Sequence, residues 1–339
     1  MTKNPTIIAH ISELRKWLLQ KIPARRVLSF SLLLLALLGS CAEPITTDKS
    51  TSVPPTATIV PTSTATPFPT LTPTATPVPC DLATSDFCIV SGLQLFRRPI
   101  DGTTGNDFFD TTYPFGSTQN GLRKPHHGVE FPNETGTPVL AVYDGIIYFA
   151  GDDATQIFGP VNNFYGNLVV IEHKLPDGQA IFTLYAHLSK VDAVVGQTVK
   201  AGDKIGEVGQ TGWAIGSHLH FEIRISPINY NSSVNPELWL VPHEGKGTAT
   251  IRLEFENGTR AWAPLEVKYY PDGNGTSTQA WQPEIYPDEL LTTYNWENYL
   301  VGELPPGNYH VQFLWRSVWV TREFDVEAGK VTKVEIRMK

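Results

Sequence analysis

The chain of 339 residues carries 26 Lys and Arg against 34 Asp and Glu, a formal net charge of −8. Nucleic-acid binding depends on Lys and Arg side chains that neutralise phosphates, so this balance argues against a nucleic-acid partner. The length is sufficient for two domains after an N-terminal segment is set aside.

Residues 1–40 have the features of a secretory signal peptide. Six basic residues, from Lys3 to Arg26, precede an apolar run over residues 27–38. This run is shorter than the roughly 20 residues of a membrane-spanning helix and has the length of a signal-peptide core. It ends in Leu38-Gly39-Ser40-Cys41, which resembles a bacterial lipobox and predicts lipidation of Cys41 and a membrane anchor. An uncleaved signal anchor is the alternative, and both predict an extracytoplasmic chain.

The segment 41–79 is rich in Thr, Pro, Ser and Ala and holds repeats such as Thr72-Pro73-Thr74-Ala75-Thr76-Pro77. Proline fixes φ and lacks an N–H, so the composition favours extended polyproline II over helix or sheet. At about 3.1 Å per residue the segment could reach on the order of 100 Å. We therefore expect a disordered tether between the membrane and the folded domains.

Two further cysteines follow the tether. With Cys41 assigned to lipid, Cys80 and Cys88 remain as an even pair, eight residues apart. In an oxidising exterior such a pair is expected to form a disulfide that closes a small loop, and two free thiols are the alternative.

Residues 80–244 contain many short apolar runs and few windows with helical periodicity. Glycine and polar residues that favour tight turns separate the runs, which indicates β-strands. We predict an all-β fold with an antiparallel, barrel-like sheet in this first domain. The predicted strands are 139–142, 146–149, 168–171, 181–184, 194–199 and 204–208.

Histidines recur in three segments of this domain. His218 and His220 alternate with apolar residues, so on a strand both imidazoles lie on one face. His126 and Glu130 are four residues apart and share a face if the chain is extended, and His187 lies between the two segments. Zinc accepts nitrogen and oxygen ligands, and catalytic sites commonly use three protein ligands and leave one position to water. The segments can thus supply one zinc site and two further histidines that transfer protons.

The region 113–224 resembles the lysostaphin/LytM-type zinc endopeptidases, which cut peptide cross-bridges or stems of bacterial peptidoglycan. The resemblance covers about a third of the chain, and the order of its motifs is intact. The matching segments include His126-x-Gly128-Val129-Glu130-Phe131, Gly136-Thr137-Pro138-Val139, Tyr165-Gly166-Asn167-Leu168, Leu184-Tyr185-Ala186-His187 and His218-Leu219-His220-Phe221-Glu222.

This resemblance implies roles for five residues. Carried over by position, His126, Glu130 and His220 are the zinc ligands, and His187 and His218 are the catalytic pair that handles protons. His127 is expected to be a bystander and His173 a structural residue. Asn120, Arg123 and Tyr185 lie beside the motifs and could contact substrate, and surface or packing roles are the alternative for each.

One position departs from the family pattern, because the family normally has Asp where this chain has Glu130. Glu has one more methylene, about 1.5 Å of additional reach, so we expect the strand to sit slightly back or the coordination to be looser. A degenerate, metal-free domain is the alternative.

Residues 245–339 predict a small β-sandwich, which resembles prealbumin-like or carboxypeptidase-regulatory-like modules. Its predicted strands are 248–255, 265–270, 309–314, 318–326 and 331–338, with a turn at Asn257-Gly258. Between residues 271 and 303 lies a segment rich in aromatic residues, which we expect to pack against the sandwich; stacking on sugars is the alternative. These aromatic residues are Trp281, Tyr286, Tyr294, Trp296 and Tyr299.

Two hypotheses for the function follow. The first is an extracytoplasmic, lipid-anchored zinc metalloendopeptidase with one Zn²⁺ per chain, which hydrolyses peptide bonds of cell-wall peptidoglycan. The second is a non-catalytic envelope module that binds the wall or activates another hydrolase. Elemental analysis for bound zinc would distinguish them most directly.

Overall fold

The computed structural model of the chain describes residues 81–82, 85–91, 94–273, 275–287, 290 and 296–339. The predicted signal peptide and tether, with Cys41, and also Cys80 lie outside these residues. Apart from two short 3₁₀ helices, Tyr230–Ser232 and Pro236–Leu238, the regular structure described is β-strand, which confirms the all-β prediction. Within the described part of the chain, no helix has the length and hydrophobicity to cross a membrane.

The strands, numbered β1 to β18 in chain order, form four sheets. The largest sheet belongs to the first domain and has the order β11-β10-β6-β5-β4-β8, with β2 also paired to β10. Its strands are β2 (Val129–Pro132), β4 (Gly145–Asp152), β5 (Asn167–Lys174), β6 (Ala180–Ala186), β8 (Thr198–Val199), β10 (His218–Arg224) and β11 (Ser233–Val234). All of its pairings are antiparallel.

A three-stranded antiparallel sheet packs on the same core. It has the order β3-β9-β7, with β3 (Pro138–Leu140), β9 (Lys204–Glu207) and β7 (Lys190–Val191). Strand β10 shows how the alternation in the sequence directs side chains, because Leu219, Phe221 and Ile223 all enter this core. The alternate residues of β10 point to the other face of the sheet, where the histidines lie.

One predicted strand of this domain is wrong over most of its length. Of residues 194–199, only Thr198–Val199 is a strand. Gly196 adopts a φ of 84°, and its N–H donates to the carbonyl of Ile147. The apolar residues Val194 and Val195 are exposed in this turn instead of being buried in a sheet.

The C-terminal domain consists of two four-stranded sheets that share one hydrophobic core. The first sheet has the order β1-β18-β12-β15 and the second has the order β14-β13-β16-β17. Their strands are β1 (Phe87–Val90), β12 (Gly247–Phe255), β13 (Glu266–Tyr270), β14 (Gln279–Trp281), β15 (Tyr299–Leu304), β16 (Gly307–Trp315), β17 (Val318–Val326) and β18 (Val331–Met338). Strands β17 and β18 have the bounds that the sequence predicts.

Strand β1 differs from the predicted domain division. Residues 87–90 lie within the range predicted for the first domain, but β1 pairs antiparallel with β18, with Phe87 opposite Val334. The C-terminal sheet therefore includes a strand that precedes the first domain in sequence. Cys88, on this strand, is disulfide-bonded, and its pairing with Cys80 stays a prediction.

The aromatic segment 271–303 is more regular than expected, since it contains β14 and the first five residues of β15. Tyr286 and Tyr299 are buried, and Trp281 and Trp296 are partly buried. Packing against the domain therefore accounts for these four side chains, as expected. Tyr294 lies outside the described residues.

Candidate metal centre and catalytic groove

The register of β10 with its two neighbours assembles the site. On one side His220 is directly opposite Glu130 of β2, and on the other side it is opposite Ala186 of β6. His187 follows Ala186 immediately and takes a left-handed φ of 63°. Residues that are far apart in sequence are thus brought together by strand pairing.

The three predicted zinc ligands converge on one point. His126 Nε2 and His220 Nδ1 are 3.3 Å apart, and each lies close to Glu130 Oε1, at 2.9 and 3.0 Å. Among the described residues, these three form the one group of His, Cys or acidic side chains whose ligand atoms all lie within 4.8 Å of one another. The longer Glu130 side chain therefore reaches both imidazoles.

Two backbone carbonyls and an aromatic ring orient His126. Its Nδ1–H is directed at the carbonyls of Tyr113 and Pro114, at 2.8 and 3.2 Å. The ring of Tyr113 stacks on the imidazole with 3.9 Å between centroids and 12° between planes. Because Nδ1 donates to backbone, Nε2 keeps its lone pair for the point where the ligands meet.

A buried charged network orients His220, which donates through Nε2 where His126 donates through Nδ1. Its Nε2–H donates to Glu222 Oε1 over 2.9 Å, which leaves Nδ1 facing Glu130. Glu222 Oε2 accepts from Arg224 Nε at 2.6 Å, and the hydroxyl of Tyr165 also hydrogen-bonds Glu222. A carboxylate behind a histidine ligand fixes the tautomer and raises the basicity of the ring.

The carboxylates of Glu130 and Glu222 favour positive charge at the position where the three side chains meet. Burial opposes protonation of His220, yet the carboxylates of Glu130 and Glu222 outweigh it and raise the pKa of the imidazole to about 10. Burial alone would raise the pKa of Glu130, but the neighbouring His220 and His126 hold it well below its ordinary value. Glu130 is therefore a carboxylate at neutral pH.

The donor set fits a zinc ion. Two imidazole nitrogens and one carboxylate are ligands of catalytic zinc sites. Glu130 Oε2 is buried and, within the described residues, has no hydrogen bond of good geometry, although His218 Nε2 lies 3.1 Å away. A buried carboxylate oxygen that is otherwise unsatisfied is a suitable additional ligand atom.

His187 and His218 lie next to the three ligands. The rings of His187 and His218 are 4.9 Å apart, and His187 is 5.7 Å from His220. His187 Nδ1–H donates to the carbonyl of Thr211 at 2.8 Å, and His218 Nδ1–H donates to that of Gly216 at 3.0 Å. Burial and the neighbouring His220 lower the pKa of His187 to about 4, so its ring is neutral at physiological pH and Nε2 carries no proton.

The five residues open onto a groove with a volume of about 690 Å³. Its walls combine aromatic rings, among them Tyr113, Phe164 and Trp213, with the cations Arg123 and Lys124. Trp213 is 64% exposed, and its ring lies 5.6 Å from that of Phe164, tilted by 57°. An exposed aromatic ring at the edge of a groove can contact an extended peptide.

The other residues considered in the sequence analysis lie outside the group of five site residues. His127 is buried under Tyr230 and hydrogen-bonds Ser233, and His173 is buried between Asp144 and Thr183, as expected of non-ligands. Of the two roles open to Tyr185, the structure favours packing over substrate contact, because Tyr185 is fully buried and its hydroxyl accepts from the amide of Val142. Arg123 does line the groove, whereas Asn120 is exposed and is not among the lining residues.

Two functional neighbours were missed by sequence reasoning. Tyr165 and Arg224 are fully buried around Glu222. The alternation of β10 places Arg224 on the same face as Glu222 and the histidines, and that pattern could have identified Arg224 as a neighbour of the candidate ligands. For Tyr165 the sequence offers no such signal.

Comparison with known proteins agrees with this geometry. Residues 124–236 match the model of peptidase family M23. The chain is 41% identical over 106 residues to the DD-carboxypeptidase/endopeptidase Mpg of Neisseria meningitidis, covering 31% of this chain and 21% of that protein. It is 36% identical over 120 residues to the peptidoglycan DD-endopeptidase ShyA of Vibrio cholerae, covering 35% and 25%. The catalytic domain of lysostaphin from Staphylococcus simulans is 33% identical, with 36% of this chain and 83% of that chain covered and a TM-score of 0.30.

The fold and the site define residues 124–236 as a metallopeptidase domain. Its similarity to peptidase family M23 covers 113 of the 339 residues of the chain. The chain spans about a quarter of the length of the curated relatives it matches. The C-terminal domain and the N-terminal segment lie outside the residues that the family model matches.

Proposed function

We propose that this protein is an extracytoplasmic, lipid-anchored zinc metalloendopeptidase, with one Zn²⁺ per chain, that hydrolyses peptide bonds of bacterial peptidoglycan. The observation that carries the proposal is the convergence of His126 Nε2, His220 Nδ1 and Glu130 Oε1 within about 3 Å of one another. The other ring nitrogen of each imidazole forms a hydrogen bond that fixes its orientation, with the carbonyl of Tyr113 for His126 and with Glu222 for His220.

The side chains divide the work between binding and proton transfer. His126, Glu130 and His220 would hold the zinc ion, which supplies a nucleophilic water with a pKa near 7 and polarises the scissile carbonyl. His187 Nε2 accepts a proton in the groove, because its Nδ1–H is committed to Thr211. His218 presents Nε2 beside Glu130 and can hold charge or return a proton to the leaving amine. Groups of this kind contribute about 100- to 10,000-fold in rate.

The substrate class is supported by the groove and by the relatives. The groove has a volume of about 690 Å³, and its aromatic walls offer apolar contact. Two relatives carry the names DD-carboxypeptidase/endopeptidase and peptidoglycan DD-endopeptidase. We therefore infer a stem or cross-bridge peptide of peptidoglycan as substrate.

The location of the protein is inferred from sequence. The apolar run 27–38 and Cys41 are typical of a lipoprotein signal, and the tether 41–79 would allow the domains to reach the wall. Replacing Cys41 with Ser is expected to shift the protein from the detergent-soluble membrane fraction to the soluble fraction. A variant that stays in the membrane would indicate an uncleaved signal anchor.

The proposal is tested by metal content and cleavage together. Purified protein should carry about one zinc per chain and release peptides from purified peptidoglycan, and EDTA should abolish cleavage until zinc is added back. His220→Ala should lose both zinc and cleavage, whereas His310→Ala, in the C-terminal domain, should change neither. Protein that carries no zinc and cleaves no wall preparation contradicts the proposal.

Glu130→Asp distinguishes a working site from a degenerate one. If Glu130 is a working ligand, the family's usual Asp should support equal or higher activity. In a non-catalytic wall-binding module, both forms would bind peptidoglycan without cleaving it, and chelators would not change binding. All five ligand and proton-transfer positions are occupied by competent side chains here, which favours the enzyme.

A further inference from the structure

The C-terminal domain contacts the segment that supports His126. We define the support loop as residues 113–117. The amide of Gly116 donates to the carbonyl of His126 at 2.8 Å, and the amide of His126 donates to the carbonyl of Ser117 at 3.0 Å. Since Tyr113 also stacks on His126, this loop determines both the backbone and the ring position of the ligand.

The other side of the support loop packs on the C-terminal domain. Phe115 is 1% exposed and meets the ring of Tyr286 edge-on, at 5.1 Å and 77°. Leu290 and Leu300 of the C-terminal domain and Leu238 of the first domain complete this buried cluster. Next to it, the buried Ser117 donates its hydroxyl to Glu284 Oε1 at 2.9 Å.

The fit between Tyr286 and the loop is close. A Cβ at Gly116, which has a φ of 83°, would lie 3.2 Å from Tyr286 Cδ1. Tyr286 is itself fixed, because its hydroxyl accepts from Asn235 Nδ2 at 2.8 Å and its amide donates to the carbonyl of Asn298 at 3.1 Å. The ring therefore limits where the backbone at Gly116, and hence the hydrogen-bonded His126, can lie.

We propose that Tyr286 and Glu284 are positioning residues of the metal centre, which act through the support loop on His126. This inference rests on the proposed function, since it assigns His126 to the metal. The C-terminal domain is then part of the working enzyme and not only an appended module. Loss of either contact should weaken metal binding and slow turnover without removing a ligand.

A purely structural role predicts a different result, and a second interdomain contact supplies the matched control. At that contact Arg98 pairs with Glu303, and His243 Nδ1 lies 2.9 Å from Glu303 Oε2. This contact joins the same two domains without involving residues 113–117. Glu303→Gln should therefore lower the melting temperature but leave zinc affinity and turnover unchanged.

The test compares full-length variants by zinc competition with a fluorescent chelator, by kcat and KM, and by thermal unfolding. Tyr286→Leu should weaken zinc binding about 10-fold, as supporting residues behind metal ligands do, and should lower kcat while KM stays within about twofold. Glu284→Gln weakens the hydrogen bond from Ser117, and Ser117→Ala removes it together with the 3.3 Å hydrogen bond from the amide of Gln119. Both variants keep the aromatic packing, so we expect about threefold effects on zinc affinity.

These outcomes separate the inference from the proposed function. Wild-type protein that binds no zinc overturns both. If wild-type protein binds zinc, and the Tyr286 and Glu284 variants keep its zinc affinity and kcat within twofold, the inference is overturned and the proposed function stands. If Tyr286→Leu does not fold, Glu284→Gln and Ser117→Ala decide the question in the same way.

Discussion

His220 and Glu222 are two residues apart on one strand, and the imidazole Nε2–H of the first donates to a carboxylate oxygen of the second over 2.9 Å. This bond turns Nδ1 of His220 toward Glu130 and His126. Arg224, two residues further along the same face, neutralises Glu222 at 2.6 Å. Three alternate residues of β10 thus form a buried chain that ends beside Glu130 and His126.

Removing the charge of Glu222 should weaken this chain at two points. Burial would raise the pKa of Glu222, but Arg224 and His220 hold it below its ordinary value, so the native group is a carboxylate. We expect Glu222→Gln to weaken zinc binding 10- to 100-fold. The buried, unpaired Arg224 should also cost about 3–5 kcal/mol of unfolding free energy. Chelator competition and denaturant unfolding measure the two effects. Glu172→Gln, at an exposed position, should change neither, and an unchanged zinc affinity in Glu222→Gln would refute the role of the carboxylate.

His187 should be needed for turnover but not for metal binding. Its backbone has a φ of 63°, a conformation that Asn tolerates better than most residues. His187→Asn should therefore fold, retain about one zinc per chain and lose about 100- to 10,000-fold in kcat. Metal analysis and steady-state kinetics on the same preparation test this. Loss of zinc in this variant would mean that His187 belongs to the ligand set.

Gly128 should be essential for the approach of β2 to β10. A Cβ at this position would lie 2.4 Å from the carbonyl oxygen of Phe221 and 2.9 Å from His220 Cε1. Gly128→Ala should destabilise the protein by about 3 kcal/mol, at the upper end for overpacking, and should abolish zinc binding. Thermal unfolding and zinc titration provide the measurement. Gly275→Ala, where the nearest atom is 3.8 Å away, is expected to be neutral, and equal behaviour of the two variants would contradict the argument.

Glu237 should make stability depend on pH. Burial, and then the nearby Glu303, raise the pKa of Glu237 to about 8, although Arg98 opposes the shift. Between its ordinary value near 4.5 and about 8, the folded state holds a proton that the unfolded state has lost. Stability therefore decreases as pH rises through this window. Burial lowers the pKa values of His127, His173 and His187 to about 4, and these groups contribute the opposite slope below about pH 6.5. Between pH 6.5 and 8 the melting temperature of wild-type protein should therefore fall more steeply than that of Glu237→Gln. Equal slopes in the two proteins would refute this assignment.

The local pattern of β10 was sufficient to place two of the five candidate site residues, His218 and His220, on one face. Period-two alternation places His218, His220 and Glu222 on one face whatever the rest of the fold, because successive side chains on a strand point to opposite faces. The pairing of His220 with Glu130 could be inferred only through the family resemblance. Register between strands about 90 residues apart depends on packing that no local window contains.

Other features were not accessible from local sequence for the same reason. Charged residues are rarely buried unless paired, so the alternation that places Arg224 on the histidine face does not predict that it is fully buried or that it contacts Tyr165. Strand β1 has an apolar sequence that suits either domain, and only the unpaired edge of β18 decides where it lies. The contact between Phe115 and Tyr286 joins residues of different domains, so it also could not be predicted from local sequence.

The pairing of β1 with β18 bears on how the two domains can be separated. A protease that cuts the connection near residue 245 would leave two fragments still joined by the hydrogen bonds of residues 87–90 with the last strand. A fragment that starts at residue 245 would lack β1 and expose the edge of β18, and exposed strand edges promote self-association through intermolecular β-pairing. Isolation of the C-terminal domain in soluble form should therefore require the short strand to be supplied as well, either fused or as a peptide.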